Sequence, residues 1–182
     1  VEEVFLVNNG AYNNDLETKI TAIENIKVTI KQLNKNMGIA YALNCILKYS
    51  LNYNYDFLLT MDQDSRCDVK IISSYLNEYE ENVALYTPQI IDINKNEEIQ
   101  YNKTNYVNMC ITSGCFMNLK YIDGNSCFDN HFFIDFVDFD FSLNLIEQGY
   151  KIKYVSNAII YHQLGNAKKI NSLSKLFKKD FY

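Results

Sequence analysis

The chain is predicted to be an α/β domain in which a mostly parallel, doubly wound sheet is flanked by helices. Three observations carry that expectation. Short apolar runs of strand length recur along the chain, segments with helical spacing of apolar residues lie between them, and runs end in polar turn signals such as Asn8-Asn9-Gly10 and Asp62-Gln63-Asp64. Strands alternating with helices of about 10 to 15 residues make parallel βαβ units. With 182 residues, 48% of them hydrophobic, the chain is long enough to bury one core, and one domain is expected.

The elements follow in order. Residues 4–7 are the first apolar run, and Asn14-Asp15 offers an N-cap to a periodic segment over 16–24. Residues 26–30 alternate apolar and polar as a half-buried strand does, while 37–51 carry small and apolar residues at helical spacing. Residues 57–61 read as a buried strand, and 68–80 as a helix capped by Asp68 with acids toward its end. Beyond Pro88, the only proline, the pattern loosens: 92–105 is polar and hairpin-like, 106–117 is strand-like around Ser113-Gly114, and a loop runs to Asn130. Residues 133–148 read as a helix with acids near its start, stopped by Gly149, and 150–155 and 158–161 as two short strands before a lysine-rich tail. There is no internal repeat and no low-complexity linker.

Composition excludes several classes. A net charge of -5 with a single arginine, Arg66, is opposite to the basic face that a nucleic-acid partner requires. Five scattered cysteines (Cys45, Cys67, Cys110, Cys115 and Cys127) make no CxxC pair and are odd in number. They read as reduced thiols of a cytoplasmic chain, not as a disulfide framework or zinc site. No apolar run reaches the length that spans a bilayer, and VEEVFLVNN is no signal peptide but begins inside a strand-like run.

In open α/β sheets ligands sit outside the carboxyl ends of strands, which points to Asn8-Asn9-Gly10 and Asp62-Gln63-Asp64. Asp62 and Asp64 are two apart on an extended segment and face the same way. Two hard carboxylates suit Mg2+ or Mn2+, with substrate phosphates completing the shell; the alternative is a solvated turn. In the aromatic run 132–141, Asp135, Asp138 and Asp140 either cap and complement a helix start or include a carboxylate whose apolar neighbours raise its pKa, as in a general base. Asp138, with apolar residues on both sides, is the candidate base. His162 follows a strand and is either structural or a ligand; His131 lies in a polar loop and reads as surface. The small residues Gly38, Ala40 and Ala42 open a helix, either for close packing on the sheet or to let backbone N–H groups approach a phosphate. Their spacing is neither GxGxxG nor a P-loop.

Taken in order, these pieces resemble the nucleotide-diphospho-sugar transferases of the glycosyltransferase A fold, in particular the inverting family 2. Residues 5–11 resemble that family's strand ending in Val-Asp-Asn-Gly-Ser, and Asn36-x-Gly38-x-Ala40-x-Ala42-x-Asn44 its small-residue helix. Residues 58–65 are similar to its Asp-x-Asp strand end, Thr112-Ser113-Gly114 to its Ser-Gly strand beside the acceptor, and Val137-Asp138-Phe139-Asp140 to its Glu-Asp-x-Asp motif. The Asp-Gln-Asp-Ser wording and the late His-x-x-Gly at 162–165 resemble the rhamnosyltransferase branch. Asn8, Val137 and Asn144 depart from the pattern, which has Asp, Glu and Arg there.

The resemblance implies a Rossmann-like sheet whose first strand and helix would precede Val1, and a catalytic domain over 1–165 followed by a tail over 166–182. It also implies an inverting transfer of a sugar from a nucleotide-diphosphate donor to a glycan or lipid-linked acceptor in surface polysaccharide synthesis, with Mg2+ or Mn2+ as cofactor. Asp64, Asp62 and His162 would hold the metal and Asp138 would be the base. Asn8, Asn9, Asn36, Gly38, Asn44, Asp62 and Gln63 would line the nucleotide sugar, and Ser113, Gly114, Asp135 and Asp140 the acceptor side. Rhamnose is the sugar toward which the branch leans. Two rival readings use the same acids: a nucleotidyltransferase or metal-dependent phosphohydrolase, for which a basic or Gly-rich phosphate loop is lacking, and a non-catalytic binding module. The basic amphipathic tail either packs on the domain or lies on the inner face of an anionic membrane.

Overall fold

The first apolar run becomes β1 (Glu3–Asn8), followed by α1 (Asn14–Thr21), β2 (Lys27–Gln32), α2 (Ile39–Asn52) and β3 (Phe57–Leu59). After them come β4 (Arg66–Cys67), α3 (Ile71–Asn77), β5 (Val83–Asp92), β6 (Glu97–Glu98), β7 (Tyr106–Val107), β8 (Phe116–Asn118), a 3-10 turn (Leu119–Tyr121), α4 (Val137–Glu147) and β9 (Lys151–His162). This computed structural model describes residues 1–21, 23–94, 97–98, 105–123 and 126–162. Gly165 and the tail over 166–182 lie outside the described residues.

The α/β layering is as expected, and the sheet is mixed. β1 and β2 pair in parallel. A second sheet runs in the order β3-β8-β5-β9-β4, with β6 added to β5 and β7 to β9. Within it β5·β9 is parallel and the other pairs are antiparallel. Parallel neighbours need a helical crossover, which α4 supplies between β5 and β9. β8 lies antiparallel between β3 and β5, and the two-residue strands β4, β6 and β7 pair antiparallel with β9 or β5.

β5 and β9 form the middle of this sheet, covered on both faces. Leu85 of β5 joins α2 and α4 in one cluster with Ala40, Leu43, Leu47, Phe141 and Leu145. Its neighbour Tyr86 points to the other, with Tyr75 of α3, Phe116 and Ile160. Two covered faces explain why β5 is a continuous apolar run. On α2 the buried residues Ala40, Leu43, Leu47 and Ser50 fall on one helical stripe.

Several boundaries differ from the sequence expectation. β5 is unmarked in the sequence because Pro88 interrupts it, and proline within a sheet is found at edges or bulges. Here the β5·β9 register shifts between Pro88 and Gln89, skipping from Val155 to Ile159 on β9. The same irregularity makes β9 read as two short strands in sequence. The cap of α1 is Asn13, whose Oδ1 accepts the Asp15 N–H at 2.9 Å. Asp68 does not cap α3 directly: its carboxylate accepts the Lys70 N–H at 2.8 Å, and the helix begins at Ile71. Ser113 and Gly114 lie in the turn between β7 and β8 and not in a strand. α4 begins at Val137, later than the expected 133, because Phe136 adopts a left-handed conformation (φ 65°) as its N-cap. That excludes Asp135 as the cap.

Gly114 has φ +78°, and an added Cβ would stand 2.8 Å from Pro88 Cγ and 2.9 Å from Ile160 Cγ2. Gly114→Ala is expected to cost about 1–3 kcal/mol through strain and overpacking, read from the urea midpoint at unchanged m-value. At the other sheet, the Glu3 carboxylate is 3% exposed and accepts hydrogen bonds from Lys27, Thr29, Tyr49 and Tyr55. Burial pushes its pKa up, but these bonds, Lys27 foremost, outweigh burial and hold it at about 2 against an ordinary 4.5. A depressed carboxylate stabilises the fold above its unfolded pKa and loses that contribution as pH falls through the folded value. Glu3→Gln should therefore lower the melting temperature at neutral pH and flatten the stability loss between about pH 4.5 and about pH 2; an unchanged pH profile would remove Glu3 from this role.

Candidate active site

The carboxyl end of β3 is anchored before the chain turns. Thr60 donates its N–H to the Cys115 carbonyl at 3.0 Å and accepts the Gly114 N–H at 2.8 Å. Its hydroxyl donates to the Thr112 carbonyl at 2.5 Å. These bonds hold the 112–115 turn against the strand end, and the acids follow at once. The Asp62 N–H donates to Ser113 Oγ at 3.2 Å, and the Ser65 N–H closes the turn onto the Asp62 carbonyl at 3.2 Å.

β4 then pairs antiparallel with the end of β9, Arg66 opposite Tyr161 and Cys67 opposite Ile160. This pairing brings His162 to the acidic turn: its Nδ1 lies 3.6 Å from Asp64 Oδ1 and 2.6 Å from Ser65 Oγ. One ligand atom from each of Asp62, Asp64 and His162 lies within 4.8 Å of the others. Two carboxylate oxygens and an imidazole nitrogen are a donor set that fits a divalent cation.

Asp62 feels its neighbours. Asp62 is exposed by area, yet enough protein surrounds its carboxyl for desolvation to raise its pKa; His162 opposes that rise, and the charges of Asp64 and Asp138 add to it. Asp138 is thus within electrostatic reach of Asp62, from which it stands 76 positions away in the chain. It stands in the first turn of α4 together with Asp140, partly buried, with Oδ1 accepting the Phe139 N–H at 2.9 Å. Asp140 accepts from Asn144 Nδ2 at 3.1 Å. Asp135 is exposed, as are the nearby Phe133, Phe136 and Phe139.

On the other side, amides join the end of β1 to the loop before α2. Asn9 Oδ1 accepts the Met37 N–H at 2.8 Å, and its Nδ2 donates to Asn36 Oδ1 and the Gly38 carbonyl. Asn8 donates to Gln32 Oε1 at 2.8 Å and to the Ala11 carbonyl at 3.1 Å. Gly38 has φ +90°, and a Cβ there would lie 2.9 Å from the Phe133 carbonyl oxygen, which already accepts the Ile39 N–H at 2.7 Å. The close approach made at Gly38 is therefore to the backbone that leads into α4. Asn44 holds the 128–130 loop through Phe128 and Asn130. Gln63 is exposed between the two acids. His131 is paired with Asp129 at the surface.

Sequence reasoning gave no role to Thr60 or to Ser65, the serine of the Asp-Gln-Asp-Ser wording. Their hydroxyl partners lie far along the chain, and a hydroxyl has no periodicity of its own.

The chain is similar to several known proteins. The model of the family described as glycosyl transferase family 2 matches residues 1–139. A dTDP-rhamnosyl transferase, RfbF of Shigella flexneri, is 26% identical over 174 residues, covering 85% of this chain and 57% of its own length. Among solved structures, GalNAc-T7 with UDP, GalNAc and Mn2+ superposes with a TM-score of 0.71 at 11% identity, covering 89% of this chain and 38% of that one. The mannosyltransferase PcManGT of Pyrobaculum calidifontis, in complex with GDP-Man and Mn2+, gives 0.70 at 9% identity over 90% of this chain and 48% of its own. TarS 1-349 of S. aureus gives 0.68 at 16%, over 88% and 51%. The chain thus spans about half the length of the proteins it matches. With a glycosyltransferase A fold and a family model that matches more than three quarters of its residues, the chain belongs to glycosyl transferase family 2.

Proposed function

We propose that this chain is the catalytic domain of an inverting glycosyltransferase that moves a sugar, rhamnose by the likeness to RfbF, from a nucleotide-diphosphate donor to a hydroxyl of a glycan or lipid-linked acceptor. The single observation that carries it is the meeting of Asp62, Asp64 and His162 within 4.8 Å at a strand end, with the charge of Asp138 bearing on Asp62. Three carboxylates offset by one histidine make a negative mouth, and a diphosphate donor is also negative; the donor set for a cation answers that conflict.

Asp62, Asp64 and His162 would hold Mg2+ or Mn2+, which supplies Lewis-acid stabilisation of the charge on the departing diphosphate. Asn8, Asn9, Asn36, Gly38, Asn44 and Gln63 shape the donor side, directly or through the loops they hold. Ser113, Gly114, Asp135 and Asp140 shape the acceptor side. Asp138 accepts the proton of the acceptor hydroxyl as its oxygen bonds to the anomeric carbon, opposite the bond to the diphosphate. That bond breaks with its electron pair leaving on the diphosphate, so the anomeric configuration inverts. The exposed Phe133, Phe136 and Phe139 offer apolar faces to the acceptor, as sugar C–H groups or a lipid tail require. A cytoplasmic location goes with this reading, at the inner face of the membrane where the acceptor is lipid-linked; no described helix is long and apolar enough to cross a membrane.

Supplied with dTDP-rhamnose, Mn2+ and acceptor, Asp138→Asn should keep nucleotide binding and lose at least about a hundredfold in turnover, measured as release of dTDP. Unchanged turnover would take the base role away from Asp138. Asp64→Ala should abolish the Mn2+-dependent part of dTDP affinity in calorimetry, and equal affinity in variant and parent would refute the assignment.

A further inference from the structure

We propose that Ser65 is a positioning residue for His162, and that Ser65 and Ser113 form a hydroxyl relay linking the 112–115 turn to the cation-binding set. The proposal rests on the reading of Asp62, Asp64 and His162 as metal ligands. Ser65 Oγ lies 2.6 Å from His162 Nδ1, and the Ser113 hydroxyl donates to Ser65 Oγ at 2.6 Å. Ser113 Oγ in turn accepts the Asp62 N–H at 3.2 Å. Ser113 is 1% exposed and the His162 side chain 14%, which shields the relay from water.

A ligating imidazole presents one unprotonated nitrogen, and a hydrogen bond at the other sets its tautomer and ring orientation. Two groups near Nδ1 compete for that part. Asp64 Oδ1, at 3.6 Å, is beyond hydrogen-bond distance; Ser65 at 2.6 Å is within it. A hydroxyl oxygen has two lone pairs, enough for Ser65 to accept both the Ser113 hydroxyl and Nδ1–H. With the proton fixed on Nδ1 the ring's lone pair is on Nε2, the nitrogen that this proposal gives to the cation. The backbone of one ligand, Asp62, and the ring of another, His162, are then joined through two serine hydroxyls, one of which belongs to the turn assigned to the acceptor side.

The test titrates Mn2+ alone into the chain, reading free Mn2+ by electron paramagnetic resonance, and records long-range 1H–15N spectra of the metal-free protein. Ser65→Ala should bind Mn2+ about 10–100-fold more weakly, Ser65→Thr should restore most of the affinity, and the neutral His162 ring should carry its proton on Nδ1 in the parent and lose that preference in Ser65→Ala. Mn2+ affinity that is unchanged or tighter in Ser65→Ala, while His162→Ala weakens it, overturns the proposal and leaves the metal reading standing. So does a parent ring with its proton on Nε2. Equal affinity in parent and His162→Ala overturns the metal reading itself, and the positioning role with it.

Discussion

The site depends on one strand. β9 runs for twelve residues, lies parallel to β5 and antiparallel to β7 and β4, and delivers His162 at its end. Its interior residues are held from both faces: Ile152 in the cluster with α2 and α4, Val155, Ala158 and Ile160 in the cluster with α3. A long buried strand cannot slide without moving every side chain to the wrong face. The position of His162 is therefore set by the core, and the two-residue ladder at Arg66 and Cys67 is enough to bring the acidic turn to it.

A second constraint is the close packing against two glycines. Gly114 packs against Pro88 and Ile160, and Gly38 against the Phe133 backbone, both with positive φ. The first contact seats the Ser113 turn on β5 and β9; the second ties the loop before α2 to the segment leading into α4. At Gly38 the contact is to main-chain atoms of Phe133, at Gly114 to the side chains of Pro88 and Ile160. The amides of Asn9, Asn36 and Asn44 complete the links and are engaged in holding loops.

Electrostatics gives the site its direction. Desolvation and neighbouring negative charge both disfavour ionised Asp62, and only His162 works against them. Such an arrangement stores unfavourable charge that a cation relieves, and it is found where chemistry is done more often than where stability is the sole demand. The fold tolerates it because the two-faced core around β5 and β9 supplies the stability, while the acids sit at strand ends and in the first turn of α4, where the helix dipole favours them.

Much of this was legible in the chain. Asp62 and Asp64 are marked by the apolar strand before them, Asp138 by the aromatic run around it, and the α/β class by alternating periodicities; all are local signals. β5 was not legible, because Pro88 breaks its pattern while a register shift against β9 absorbs the break. The late start of α4 was hidden by the left-handed Phe136, a conformation that a phenylalanine does not advertise. The sequence by itself determined which residue types were available for the chemistry and at which strand and helix ends they would appear. Only the tertiary structure decided that Asp64 and His162, 98 positions apart, lie 3.6 Å from each other and that Ser65 stands between Ser113 and His162. The physical reason is that strand pairing and packing around β9 are long-range, and no short stretch of sequence carries them.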